Sequence, residues 1–388
     1  MAVDAKVSEY LLELLRCALH DETPSDKPEE VSWQEVFLLA KRHSVSALAW
    51  QSVSRLSEPI DPAVDEEWRT LNYKLINKYI NQEHELSTLT SLLAQAEIPH
   101  MPVKSVWVRP LYPQPFAREM CDLDILIPEG DAERAHDIAI DSGYTMLEEA
   151  TTSHNTEYIK KPYLVLELHT FMAPKESTQF SYYENIWQRV VPTDTPYYYS
   201  LTLEDQYIYM LAHSEKHYSL RGTGIRSYLD IFVFLNHYQE RLDRAYIEAE
   251  LKKLQIYEFA VTAEALAQSW FSKERPPLSE KAAKMANYVF SGSTYGRRNG
   301  IDENKLRALM KDGKSEKRAK ASFLIQIAFP PYGIMRRQFP KLKKAPFLLP
   351  FYWLRRWFMV LFTKPGQILK QYRRVKKINL HDSDCNIY

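Results

Sequence analysis

The chain is poor in glycine. Only 10 of its 388 residues are Gly, and the first is Gly130, against an average usage near 7%. No G-x-G-x-x-G turn and no G-x-x-x-x-G-K-[ST] loop can be assembled from so few. The Rossmann dinucleotide fingerprint and the P-loop are therefore excluded, and so are collagen-like and glycine-linker chains. Cysteine is scarcer still. Cys17, Cys121 and Cys385 are odd in number and far apart, so they form neither a disulfide framework nor a C-x-x-C metal knuckle. A reducing, cytoplasmic compartment is the expectation. The amino-terminal stretch carries an acid at Asp4 and lacks the basic start and small-residue cleavage site of a secretory signal. The longest apolar run, Phe347 to Phe362, is 16 residues and is broken by Arg355 and Arg356. A membrane-crossing helix needs about 20, so no transmembrane segment is expected.

Net charge is also missing, but only as a sum. Lys plus Arg is 50 and Asp plus Glu is 50. From Lys305 to Lys377, however, 20 Lys or Arg face two acids, Asp312 and Glu316. That stretch is a solvated basic face or a surface for an anionic partner. Its cations flank a Trp/Phe/Leu-rich segment, which points toward a membrane surface and peripheral attachment there.

What is present is an ordinary globular composition, 45% hydrophobic and 26% charged, long enough for two or three domains. Low glycine and abundant Leu, Ala, Glu and Lys favour helices. Ser32 with Glu35 reads as a capping box opening a helix whose Trp33, Val36, Phe37 and Ala40 follow the helical repeat. A further one or two helices run from Asp65 to Ile98 and stop at Pro99 and Pro102. The period then changes. Asp122 to Pro128 alternates as a strand, with Leu123, Ile125 and Ile127 on one face and Asp122, Asp124 and Leu126 on the other. A helix follows, opened by Asp131 and stopped by Gly143. Two strands come next, 154–161 and 163–171, turning at Lys161–Pro162. Helices resume at Leu203, with a turn at Gly222 and Gly224. The expected organisation is an N-terminal helical region over 1–85, a small mixed-sheet core over 86–200, a helical domain over 201–290 and a basic helical region over 301–388. The fold class is α+β.

The acids on those strands carry the chemistry. Residues i and i+2 of a strand share a face, so Asp122 and Asp124 should emerge side by side. Adjacent carboxylates repel unless a cation neutralises them, and Mg²⁺ characteristically takes one or two carboxylates plus substrate phosphates. Glu167 is a third acid inside an apolar strand. If that strand pairs beside the first, three carboxylates converge, a set that holds two divalent ions for phosphoryl or nucleotidyl transfer. His213 and His217 stand i, i+4 on one helix, and His169 lies two residues beyond Glu167. A hydrolytic metal site from those three histidines is conceivable. Otherwise they bond structurally or line the cleft. Tyr197, Tyr198 and Tyr199 are further residues that could border a sugar or base.

The block MPVKSV…DLDILIP, the following helix ending in SGY, and the LELH strand resemble the nucleotidyltransferase superfamily with the DNA polymerase β-type fold. More closely, they are similar to a bacterial group of uncharacterised nucleotidyltransferase family proteins. The H-x-x-K-H run at His213, Lys216 and His217, and the G-I-R…D run at Gly224, Ile225, Arg226 and Asp230, extend the likeness. The resemblance implies that Asp122, Asp124 and Glu167 bind two Mg²⁺ ions and that Glu167 helps activate an acceptor hydroxyl. It implies a nucleoside triphosphate as donor, with Lys104, Ser105, Arg118, Lys216 and Arg226 as nucleotide-binding positions. The superfamily's Gly-[Gly/Ser] turn corresponds here to Lys104-Ser105, which has no glycine. That departure supports an alternative: a nucleotidyltransferase fold kept as a binding or scaffold protein with impaired catalysis, at the membrane surface if the basic segment anchors it.

Overall fold

The computed structural model describes residues 4–57, 60–148, 151–220, 222–294, 316–333, 335, 339–343 and 345–363. They belong to two compact units. One is built from residues up to 217 and from 223 to 294, the other from 218–222 and the described residues beyond 315. The stretches expected as an N-terminal helical region, a sheet core and a helical domain share the first unit, apart from 218–222.

That unit opens with α1 (Ala5–His20), α2 (Trp33–Arg42), α3 (Ser46–Val53) and the 34-residue α4 (Pro62–Gln95). Asp61 starts α4 by accepting hydrogen bonds from the Ala63 and Val64 backbone N–H groups, with Pro62 in the first turn. The periodic stretch from Asp65 is therefore one helix. In α2, Val36, Phe37 and Ala40 are buried as their spacing requires. Ser32 holds the N-cap position but makes no side-chain cap bond, so the capping box read from Ser32 and Glu35 does not form.

The sheet follows: β1 (Met101–Pro102), the short α5 (Ser105–Val108), β2 (Leu123–Leu126), α6 (Ala132–Asp141), β3 (Thr145–Met146), β4 (Asn155–Lys160) and β5 (Leu164–His169). The strand order is β1-β2-β5-β4-β3. β2 and β5 are parallel neighbours and the other pairs are antiparallel, so the sheet is mixed and the class α+β. Gly143, at φ 86°, supplies the left-handed residue just past α6.

Hydrophobic alternation decides which side of this sheet does chemistry. Leu123 and Ile125 of β2 and Leu164, Leu166 and Leu168 of β5 bury together with Leu89 and Leu93 of α4 and Ala135 and Ala139 of α6. Each fully buried Leu or Ile contributes roughly 1.5–3 kcal/mol. A one-residue slip of either strand would exchange that face for the one bearing Asp124 and Glu167, so the register is strongly fixed.

The first unit continues through α7 (Phe180–Tyr183), β6 (Val191–Pro192), β7 (Tyr199–Ser200), α8 (Leu203–Leu220), α9 (Ile225–Tyr238), α10 (Arg244–Lys253), α11 (Tyr257–Phe271) and α12 (Glu280–Phe290). Gly224, just before α9, is required by space. A Cβ there would sit 2.8 Å from the Thr294 Cα and 3.0 Å from His43 Nδ1. The second unit contains α13 (Glu316–Ala328) and α14 (Leu349–Thr363), with Met335, Phe339, Leu342 and Tyr352 as its buried cluster. Among the described residues, no helix is long and apolar enough to cross a membrane. Residues 295–300 of the loop expected over Ser291–Gly300, and much of the basic segment 305–377, fall outside the described residues.

Candidate active site

The parallel register of β2 and β5 sets Asp124 opposite Glu167 and Leu126 opposite His169. Asp124, Glu167 and His169 share the face turned away from the apolar core. Their ligand atoms all lie within 4.8 Å of one another, the one such group among the described residues. His169 Nε2 stands 2.7 Å from Asp124 Oδ1 and 3.1 Å from Glu167 Oε2. Both neighbours are acceptors, so Nε2 carries the hydrogen. The antiparallel β4 adds Asn155, whose Nδ2 donates to Glu167 Oε2 at 3.0 Å.

Lys104 enters from the loop after β1. Its Nζ lies 2.5 Å from Asp124 Oδ1 and 3.8 Å from Glu167 Oε2. The residue takes φ 61° and is the N-cap of α5. A side chain in that region costs on the order of 1–3 kcal/mol. Lys104 thus adopts the backbone conformation that favours glycine, at the place where the sequence lacks one, and its ammonium is delivered to the carboxylates.

The charges answer to one another. Burial opposes ionisation of Asp124, but the Lys104 ammonium and the His169 hydrogen bond outweigh it and hold the carboxyl well below its usual range. Burial likewise opposes ionisation of Glu167, and the His169 hydrogen bond and Lys104 bring it down. Burial alone would weaken the Lys104 ammonium, yet Asp124 and the neighbouring acids push it up. Asp122 goes the other way. Burial, then repulsion from Asp124, raises it to about 6.

Asp122 stands outside the converging group. It immediately precedes β2 and is not one of the three converging ligands, although repulsion from Asp124 reaches it. His169 is the third member that geometry supplies. The conceivable three-histidine site does not assemble among the described residues. His213 and His217 meet each other, Nε2 to Nε2 at 3.0 Å, and join no group of three ligands among the described residues. Two facing nitrogens require that one donate and the other accept.

The basic positions separate into two kinds. Arg118 is buried in a closed network. Nε and Nη2 bond both oxygens of Asp230, at 3.0 and 2.7 Å, and Nη1 donates to Ser105 Oγ and the Glu119 carbonyl. Tyr112 completes it by donating to Asp230 at 2.7 Å. Arg118 and Ser105 are thereby engaged with protein groups, and Arg226 donates to the Glu119 carbonyl. Lys216, on α8, stays in the electrostatic reach of the site. Burial lowers its pKa, and the Lys104 charge lowers it further. Tyr198 packs edge-on against His100 and Tyr199 against Trp187.

Two contributors were not identified from the sequence. Asn155 could have been found by counting back along the hairpin, since pairing Lys160 with Leu164 places Asn155 opposite His169. Tyr209, whose hydroxyl burial pushes up to about 12 in the field of Lys104 and Asp124, carries no local signal. It reaches the site only because α8 does.

The Asp124 and Glu167 carboxylates, both accepting from His169 Nε2–H, supply the oxygen donors that a hard divalent cation takes. The Lys104 ammonium among these acids shows that the pocket accommodates positive charge. No curated protein and no solved structure matches the chain. The model of one family does, over residues 29–272, a span that includes the sheet, the carboxylate group and the His213–Asp230 helices, and the chain belongs to that family, the uncharacterised nucleotidyltransferases.

Proposed function

We propose that the protein transfers a nucleoside monophosphate from a nucleoside triphosphate to a hydroxyl acceptor, with Mg²⁺ held by Asp124 and Glu167 and with His169 orienting both carboxylates. The observation that carries this reading is the convergence of those three side chains on one sheet face inside the family's matched span. Asp122 brings a third carboxylate to the edge of the group. Its raised pKa reflects burial and negative charge left incompletely neutralised there, the condition under which a second cation is favoured. Bound magnesium would supply neutralisation of charge on the attacking and leaving oxygens of an in-line displacement.

The chain's own residues do the rest. Lys104 and Lys216 offer ammonium groups to phosphate oxygens. Glu167 is the least buried of the three, with 19% of its side chain exposed, and accepts the proton of the acceptor hydroxyl. That oxygen bonds to the α-phosphorus, the bond from the α-phosphorus to the bridging oxygen breaks, and pyrophosphate leaves. Transfer of label from an α-labelled triphosphate to candidate acceptors tests the assignment. Asp124→Ala should lower the rate by about 10³-fold or more. Equal labelling by both proteins would remove Asp124 from the chemistry.

One observation favours a second reading. The Lys104 ion pairs neutralise part of the cluster without any metal, as a site retained for binding alone would require. Calorimetric titration with ATP, GTP, CTP and UTP in magnesium separates the two. Triphosphate binding without transfer to any acceptor favours the scaffold.

A further inference from the structure

The second unit buries only half of its C-terminal helix. Tyr352 of α14 is enclosed with Met335, Phe339 and Leu342, and Leu349 and Trp353 pack against them. Hydrogen bonds fix the helix's rotation. Arg356 Nη1 donates to the Ile327 carbonyl at 3.2 Å, Trp357 Nε1 to Ala328 at 2.7 Å and Trp353 Nε1 to Pro330 at 2.9 Å. Ile327 and Ala328 close α13, where helix geometry leaves carbonyls without intrahelical partners.

With that side turned inward, the opposite side is apolar as well. Phe351, Leu354 and Phe358 recur at intervals of three and four, which stacks them in one stripe, and Phe347 lies in the 3-10 turn just before α14. Phe347, Phe351, Leu354 and Phe358 are 80%, 61%, 61% and 62% exposed. Phe329, in ring contact with Trp353 and Trp357, is exposed too. Soluble proteins rarely leave such a patch uncovered unless it serves an interaction. The sequence around it is strongly basic, with Glu316 at the start of α13 as an acid. From Lys317 to Lys377 there are 16 Lys or Arg and no Asp or Glu. Among the described residues, Lys317, Arg318, Lys341 and Arg355 are exposed.

We infer that the outward face of α14 docks on an anionic lipid bilayer, the helix lying in the headgroup plane. Phe347, Phe351, Leu354 and Phe358 enter the acyl boundary, and the flanking Lys and Arg meet lipid phosphates. An apolar stripe in a strongly basic stretch of chain is the pattern of an interfacial helix. The stripe itself has no hydrogen-bonding side chain with which to read a nucleic acid. Among the described residues, no helix is long and apolar enough to cross a membrane, so the inference concerns a helix lying on the surface. The inference is independent of the substrate used by the first unit.

Vesicle flotation of the full chain decides it. Wild type should float with phosphatidylcholine vesicles containing phosphatidylglycerol, float poorly with phosphatidylcholine alone, and lose binding as salt rises. The double variant Phe351→Ser, Phe358→Ser should bind anionic vesicles about tenfold or more weakly, with an unchanged thermal melt because both side chains are exposed. Absence of flotation at low salt overturns the inference, as does equal binding by the variant. A wild-type dimer that the variant dissociates in sedimentation velocity, with no vesicle binding, makes the face a self-interface instead. Retention of poly(U) that the variant abolishes, again without vesicle binding, makes it a nucleic-acid surface.

Discussion

Two buried charge clusters in the first unit differ in how completely they are satisfied. Around Asp230, one carboxylate meets one guanidinium through two bonds and a tyrosine hydroxyl through a third. Charge and hydrogen bonds close on themselves. Around Asp124, three nearby acids share the Lys104 ammonium, and a buried ring nitrogen, His169 Nδ1, has no partner. One excess carboxyl, Asp122, is driven up to about 6, by burial first and by its neighbours next. A matched cluster holds elements together. A mismatched one retains capacity for a ligand, because further positive charge there lowers the free energy.

The largest expected effect tests the closed cluster. Asp230→Ala would leave the Arg118 guanidinium buried without its counter-charge and should cost about 3–5 kcal/mol in urea unfolding. A loss no greater than that of Asp124→Ala would erase the distinction between the clusters. The next concerns Asp122. Its folded pKa, about 6, lies above its ordinary value of 3.8, so the fold favours the neutral acid. The stability this contributes is complete below about pH 4 and is lost as pH rises through about 6. Without divalent ions, wild type should therefore lose up to about 3 kcal/mol over that window relative to Asp122→Asn. Parallel pH curves for the two proteins would show that Asp122 is not under that pressure. The smallest effect sharpens the open cluster. Lys104→Met removes the internal cation, so Mn²⁺, followed by electron paramagnetic resonance, should bind about tenfold more tightly, near 1.4 kcal/mol. Unchanged or weaker binding would mean that the ammonium does not compete with a metal.

Much of this architecture was legible beforehand because it follows from periodicity. The alternation at Leu123, Ile125 and Leu166 made strands, and the same alternation put Asp124 and Glu167 on the side opposite the core. The helical repeats of α2 and α4 were equally readable. Local signals failed where a partner elsewhere had a stronger claim. Ser105 accepts from Arg118, which in turn is bound to Asp230, more than a hundred residues away. Asp122 stays in the field of Asp124 and Lys104 but is not among the three converging ligands. His169 was visible as a neighbour of Glu167, but its closest carboxylate is Asp124, on another strand.

By itself, then, the sequence determined the α+β class, the two acid-bearing strands, the absence of glycine-built phosphate loops and the basic C-terminal stretch. All of these are set by repeat lengths and residue chemistry. Tertiary structure decided which charges meet. The parallel pairing of β2 with β5 joined His169 to Asp124, α9 brought Asp230 to Arg118, and the positive φ of Lys104 put an ammonium among the carboxylates. Those encounters depend on strand pairing and helix packing across distant stretches of chain, for which no local pattern exists.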